Sequence, residues 1–547
     1  MKGRYSDLEK KSKNLLFSGV LILTLSNILV KAIGLLYKIP LQNLIHDEGM
    51  GYFNAAYRIY TLFYMVSTAG LPVAVSRMVS ESRAKGNRKE VKAIIRSALL
   101  LFTVVGFVGT TIMAVGSKWF ASLLAMENSY LSILAVAPTL FFICICSALR
   151  GYFQGYQNMV PTAVSEVLEA LGKLGLGILF ALYALKKGYN IPTVAAYTIF
   201  GLTIGVVVGT LYTIVHKIFF KTEKYDAEFG DLGEDAQART TGALMKAILS
   251  ISIPIMLSSV VMTLADTIDV ALISRRLQDI GYAEKVATAK YGNYSTLAVP
   301  LFNLPPILIY PISASIVPYI SAALAQKDTE KVRETMTRSL KVASLIAIPS
   351  ALGLAVFSKP ILSLLYRDVN SVEMAHPLLT VLAPAVFFLG MISVTNAILQ
   401  ATKHERLPII SMAAGSLVKI ASSYFLIGNK SIEIFGAPIG TFLCYLTISL
   451  LNFIFIVKYT GMLPEFGKVF FRPFLSSVIC VLSAFGVYKL LSLRFTRLAT
   501  LLSIAFAVLV YVIAIFLTKA ITEDDVMMLP KGEKLTKLLK KLKLIRG

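Results

Sequence analysis

Glu166, Glu169 and Lys173 recur at i, i+3 and i+7 inside the apolar stretch "VPTAVSEVLEALGKLGLGILF" (160–180). That spacing puts all three on one face of a helix. An ionised side chain at bilayer depth costs about 2.5–3.5 kcal/mol, so such a face looks into a protein interior or a water-filled cavity. Lys31, Lys38, Arg58 and Lys419 stand among Leu, Ile and Val in the same way. Cations outnumber acids in these segments, and a ligand that carries its own negative charge would balance them. Phosphate oxygens match Arg and Lys well. Three local readings stay open. Glu169 and Lys173, at i, i+4, can neutralise each other. Lys38 can snorkel to the outer interface. Asp266, beside Asp269, is read either as an interfacial carboxylate or as an opposite-charge partner for Lys31.

The elements that hold these residues are transmembrane helices. The 547 residues are 56% hydrophobic and 16% charged, with a mean hydropathy of +0.71, well beyond a soluble domain. At roughly 20 residues per crossing, the continuous apolar runs give about fourteen spans, the first at 14–41 and the last at 498–518. Their length excludes barrel strands. The connections that share a side with both termini carry 36 Lys and Arg, with Arg150 counted among them in a short connection, against 13 on the other side. This asymmetry places both termini in the cytoplasm of a multi-pass cell-membrane protein. It also accounts for most of the net charge of +23, so no nucleic-acid partner is needed. The charged "MKGRYSDLEKKSKN" reads as the flank of a retained first span rather than a signal peptide. The four Cys and four His lack ligand spacing, which predicts neither a metal nor a cofactor. No G-x-x-x-x-G-K-[ST] loop or hydrolase elbow occurs, which argues against ATP-driven transport and against an enzyme.

The chain repeats itself. Residues 71–99 align with 312–340 at an offset of 241, matching Ser80 with Ser321 and Leu99 with Leu340. "APTLFF" (137–142) answers "APAVFF" (383–388), Gln154 answers Gln400, Pro161 answers Pro408, and Lys173 answers Lys419. The unit is about six helices, so the two copies share one orientation, a transporter plan with the site between the halves. The expected organisation is an N-lobe at 1–225, a cytoplasmic linker at 226–242, a C-lobe at 243–460, two further helices at 461–519, and a basic amphipathic tail at 520–547. By the helical rise, Lys173 and Lys419 lie about 18 and 16 Å in from the cytoplasmic side, one per lobe. Gly201, Gly205 and Gly209 in "GLTIGVVVG" have the small-residue spacing of close helix packing. The tail, with Leu and Ile at helical spacing among lysines, should lie on the anionic inner leaflet.

"LVKAIGLLYKIPL" (29–41) followed by "GMGYFNAAYRIYTLFYMVSTAGLPVAVSRMVSE" (49–81) resembles the multidrug/oligosaccharidyl-lipid/polysaccharide (MOP) flippase superfamily. Within it, the chain looks most like the Gram-positive lipid II flippases of the MurJ and SpoVB type. The resemblance implies rocking of two lobes about a cationic cavity, with a final helix pair forming a groove for the lipid tail. It implies a lipid-linked anionic substrate moved to the outer leaflet, a monomer among membrane lipids, and contact with cell-wall synthesis proteins. Lys31 resembles the family's first-span cation before a glycine, and Lys38 and Arg58 look like further cavity cations. The chain departs from the arginine-rich form of other branches, since its first span uses lysines, which are point charges rather than bidentate forks. The competing readings are a flippase for a capsule or teichoic-acid unit, a drug/cation antiporter, which would want an acidic cavity, and a non-transporting envelope scaffold.

Overall fold

The computed structural model describes residues 22–23, 25–34, 36–220, 239–461, 465–492 and 496–521. The expected cytoplasmic N-terminus, the basic tail beyond residue 521 and most of the linker lie outside these residues. The described chain is all helical, with ten helices long and apolar enough to cross a membrane, or twelve if each of two bent pairs is one span. The principal helices are α1 (Lys38–Thr68), α2 (Leu71–Ala84), α3 (Arg88–Val115), α4 (Thr139–Gly155), α5 (Val160–Lys186), α6 (Ile191–Phe219) and α7 (Thr241–Asp279). They continue with α8 (Pro306–Ala325), α9 (Thr329–Val356), α10 (Ala385–Ala401), α11 (Arg406–Ile427), α12 (Gly436–Thr460), α13 (Arg472–Ser492) and α14 (Thr496–Leu517). The run Leu25–Ala84 is 60 residues long, about three times what a crossing needs. It is broken within α1 at His46, whose φ of 54° and ψ of −174° are not helical.

Contacts divide the chain into two compact units, Met1–Gln278 with Tyr282–Gly292, and Asp279–Gly281 with Asn293–Gly547. Although the sequence repeat assigns α7 to the second lobe, its Leu244 and Ile248 are buried in the core of the first unit with Phe102, Leu149 and Phe153. The second unit has its own core, in which Ile320 of α8, Leu340 of α9 and Ile398 of α10 meet.

Each unit contains the same local construction. The α3 N-terminus is capped by Asn87, whose Oδ1 accepts from Glu90 N at 3.0 Å; 241 residues on, Asp328 Oδ1 caps α9 by accepting from Lys331 N at 2.9 Å. Both helices are 28 residues long. The turns before them use left-handed residues at the same offset, Gly86 (φ 73°) and Lys327 (φ 57°). Both α4 and α10 have 17 residues and a proline N-cap, Pro138 and Pro384. Ser80 Oγ donates to the last carbonyl of α4, Gly155 O, at 3.0 Å. Ser321 Oγ donates to the last carbonyl of α10, Ala401 O, at 3.5 Å.

Candidate functional site

Four helices of the first unit, α1, α4, α5 and α6, build the site. Pro161 and Pro192 sit in the first turns of α5 and α6, where a missing N–H costs nothing. The predicted glycine stripe on α6 lets it close on α5. A Cβ at Gly201 would collide with Gly177, and one at Gly205 would lie 2.8 Å from Glu169 O. One at Gly209 would lie 3.1 Å from both Glu169 Cγ and Ser165 O. The stripe therefore presses on the turn of α5 that carries Ser165 and Glu169. From α4, Arg150 Nη2 donates to Glu169 Oε1 at 2.6 Å and Arg150 Nε to Ser165 Oγ at 2.9 Å, while Ser165 Oγ donates to Thr162 O at 2.8 Å. The pair is nearly out of solvent, with 8% and 16% of the two side chains exposed. Removing either partner would leave a buried charge, at a cost of about 3–5 kcal/mol.

Arg150 corrects the sequence reading, which ended the fourth span at 149 and put this residue in a connection. The helix runs on through Gly155 and carries the guanidinium inward. The correction also settles Glu169. Its carboxylate is engaged by Arg150, whereas Lys173 Nζ lies over two aromatic faces, 4.3 Å from the Tyr37 centroid and 4.2 Å from that of Tyr57, with Phe53 at 5.8 Å. Among the described residues no carboxylate forms an ion pair with Lys173. Ring faces attract an ammonium group by about 0.5–2 kcal/mol without consuming its charge, so its N–H donors stay available to an anion.

A cavity of about 410 Å³ opens here, with Lys31, Glu166, Glu169 and Lys173 in its wall together with Arg150. Three cations thus face two carboxylates. Glu166 Oε2 is buried there without a hydrogen-bond partner among the described residues. Tyr57, Tyr60 and Tyr64 form a ladder of rings on the opposite wall, with successive centroids 5.9 Å apart. Lys38 lies within electrostatic range of Lys173 and Arg58. Arg58 Nη1 is 3.3 Å from Asp266 Oδ2 on α7, a half-exposed ion pair inside the first unit. Lys419 is half-buried on α11 of the second unit. Sequence reasoning missed Arg150 and the aromatic wall. The wall did have a signal, since Tyr57, Tyr60 and Tyr64 repeat the i, i+3, i+7 spacing of Glu166, Glu169 and Lys173. Among the described residues no His, Cys, Asp or Glu cluster could hold a metal ion.

Comparison with known proteins places this architecture. Residues 16–324, more than half of the chain, match the family model "Polysaccharide biosynthesis protein", and 254–425 match the MatE model. Stage V sporulation protein B of Bacillus subtilis (strain 168) is 25% identical over 95% of this chain and 98% of its own length. The lipid II flippase MurJ of the same organism is 24% identical over 82% of this chain and 83% of its own. A solved structure of lipid II flippase MurJ in an inward closed conformation superposes with a TM-score of 0.70 at 16% identity, covering 90% of this chain and 98% of that one. The multi-pass helical fold is that of secondary transporters, and the chain belongs to the polysaccharide biosynthesis protein family of the MOP superfamily, among relatives of MurJ and SpoVB type.

Proposed function

We propose that the protein is an alternating-access flippase that moves a polyprenyl-diphosphate-linked peptidoglycan precursor, lipid II, from the inner to the outer leaflet. The observation that carries this reading is Lys173, an ammonium held on tyrosine faces in a cavity where Arg150 has already taken up Glu169. Moving a diphosphate through bare hydrocarbon meets a Born cost of order 20 kcal/mol per ion. A wet chamber with fixed cations removes most of that barrier while the polyprenyl tail stays in lipid. Lys31 and Lys173 are the direct phosphate contacts in this reading. Lys38 and the Arg58–Asp266 pair set the surrounding field, Glu166 and Glu169 limit the excess of charge, and Lys419 is the second lobe's counterpart. The names carried by two of the relatives, lipid II flippase in sequence and in structure, support the substrate.

The same reading takes the fold as fourteen spans in two parallel six-helix repeats plus a final pair, with both termini in the cytoplasm. The matched caps, turns and Ser80 and Ser321 bonds support it. A groove of about 420 Å³ between α9, α13 and α14, with Pro349, Ala484 and Tyr511 in its wall, suits the tail of the substrate. Another polyprenyl-linked glycan would present the same diphosphate. A cation antiporter fits poorly with cations outnumbering acids.

The test is the rate at which lipid II becomes accessible at the outer surface of vesicles containing the purified protein. Wild-type protein should accelerate it, and Lys31→Ala and Lys173→Ala should each slow it at least tenfold. Unchanged rates in both variants would sink the assignment, and full activity with a teichoic-acid precursor but none with lipid II would redirect it.

A further inference from the structure

The second unit contains a cavity that the transport reading does not use. It has a volume of about 620 Å³ and is lined almost wholly by apolar atoms, with Phe387 of α10 facing Phe466, Phe470, Phe471 and Phe474. The last four belong to "EFGKVFFRPF" (465–474), whose residues Gly467–Phe471 form a π-helical turn before α13. Such turns recur at functional sites because they re-aim side chains. Here the turn interleaves cations with the phenylalanines. Lys468 Nζ sits 2.6 Å from Glu465 Oε2, Arg472 Nη1 donates to Lys519 O at 3.0 Å, and Arg333 of α9 acts electrostatically on Glu465. Lys468 and Arg472 therefore stand in the same short segment as four of the slot's phenylalanines, with Arg333 in electrostatic range of its Glu465.

We infer that this slot is a binding site for an anionic glycerophospholipid, with an acyl chain between the phenylalanines and the phosphate on Lys468 and Arg472. A chain gains no hydrophobic free energy in passing from bilayer to slot, because lipid tails are as apolar as the wall. Discrimination therefore rests on the head group, and each basic residue near the surface favours an anionic lipid several-fold. The cluster stands on the side that the positive-inside bias assigns to the cytoplasm, where anionic head groups meet it. Gly467 lines the slot, and a Cβ added there meets no atom within 4 Å. A larger side chain would enter the slot without displacing its walls.

The full-length protein, equilibrated with an equimolar mixture of phosphatidylglycerol and phosphatidylcholine, is read by native mass spectrometry. Phosphatidylglycerol should be retained about tenfold more often. Lys468→Gln should reduce that preference several-fold, and Gly467→Leu should abolish retention of either lipid while leaving the thermal midpoint unchanged. Equal retention of both lipids by the wild type, or wild-type retention by Gly467→Leu, overturns the site. Lys173→Ala serves as the separating control, because it should slow transport at least tenfold and leave phosphatidylglycerol retention untouched.

Discussion

Arg150 on α4 and Asn396 on α10 hold corresponding places in the two units, 246 residues apart, and they are tied down by different chemistry. In the first unit the tie is ionic, Arg150 to Glu169 at 2.6 Å. In the second it is neutral. Asn452 of α12 donates from Nδ2 to Asn396 Oδ1 at 2.8 Å and to Thr395 Oγ1 at 3.0 Å, and Asn452 and Thr395 are fully buried. Both ties bind the 17-residue helix to a neighbour, so either chemistry suffices to hold a lobe together. Only the first leaves a charged wall, and the lysine that Glu169 would otherwise neutralise is the one on the tyrosines. The ionic tie thus does two jobs in one lobe, while the amide tie does one in the other.

The largest effect should follow from breaking the ionic tie. Arg150→Ala should cost about 3–5 kcal/mol by stranding Glu169, read as a fall in the thermal unfolding midpoint in detergent. The double variant Arg150→Met/Glu169→Leu should recover most of the stability, because no charge stays buried, and yet transport lipid II poorly. If the double variant is as unstable as the single one, the pair is not what holds α4 to α5. Breaking the neutral tie should do less, with Asn452→Ala costing about 1–3 kcal/mol for the hydrogen-bonding groups left behind.

A second comparison sets the two aligned lysines against each other. Lys173→Ala should lower transport at least tenfold with little change in stability, since a cation–π contact contributes about 0.5–2 kcal/mol. Lys419→Ala should lower it by less, and equal losses would mean that the substrate meets both lobes alike. The smallest difference is expected at the matched serines. Ser80→Ala should cost about 1 kcal/mol and Ser321→Ala less, because its bond is longer, 3.5 Å against 3.0 Å. Reversal of that order would weaken the equivalence of the two ties.

The helical membrane class was legible from composition and run length, which follow directly from bilayer thickness. Glu166, Glu169 and Lys173 could be placed on one face because α5 is regular, and Lys31 could be expected in a cavity because a charge at that depth needs one. What could not be read is convergence between helices. Arg150 looked like a loop residue because a span-length count stops at about 20 residues, while the helix around it continues past Gly151. The i, i+4 rule offered Glu169 to Lys173, but a guanidinium from another helix, also bonded to Ser165, took the carboxylate. The cage of Tyr37 and Tyr57 joins residues more than a hundred positions from Lys173, and no local spacing encodes it. Similarly, the repeat boundaries count α7 with the second lobe, yet Leu244 and Ile248 find their burial in the first unit.

The contact of Gly172 with Gly205, where a methyl group on either would meet the other's backbone, has a mechanical consequence. At this crossing no side chain stands between the two backbones to slide or re-pack, so α5 and α6 are locked together there as a single plank. Lys173, Glu169 and Glu166 ride on that plank with fixed mutual spacing. Any alternation of access has to bend the chain elsewhere, with these three side chains carried on a rigid tray.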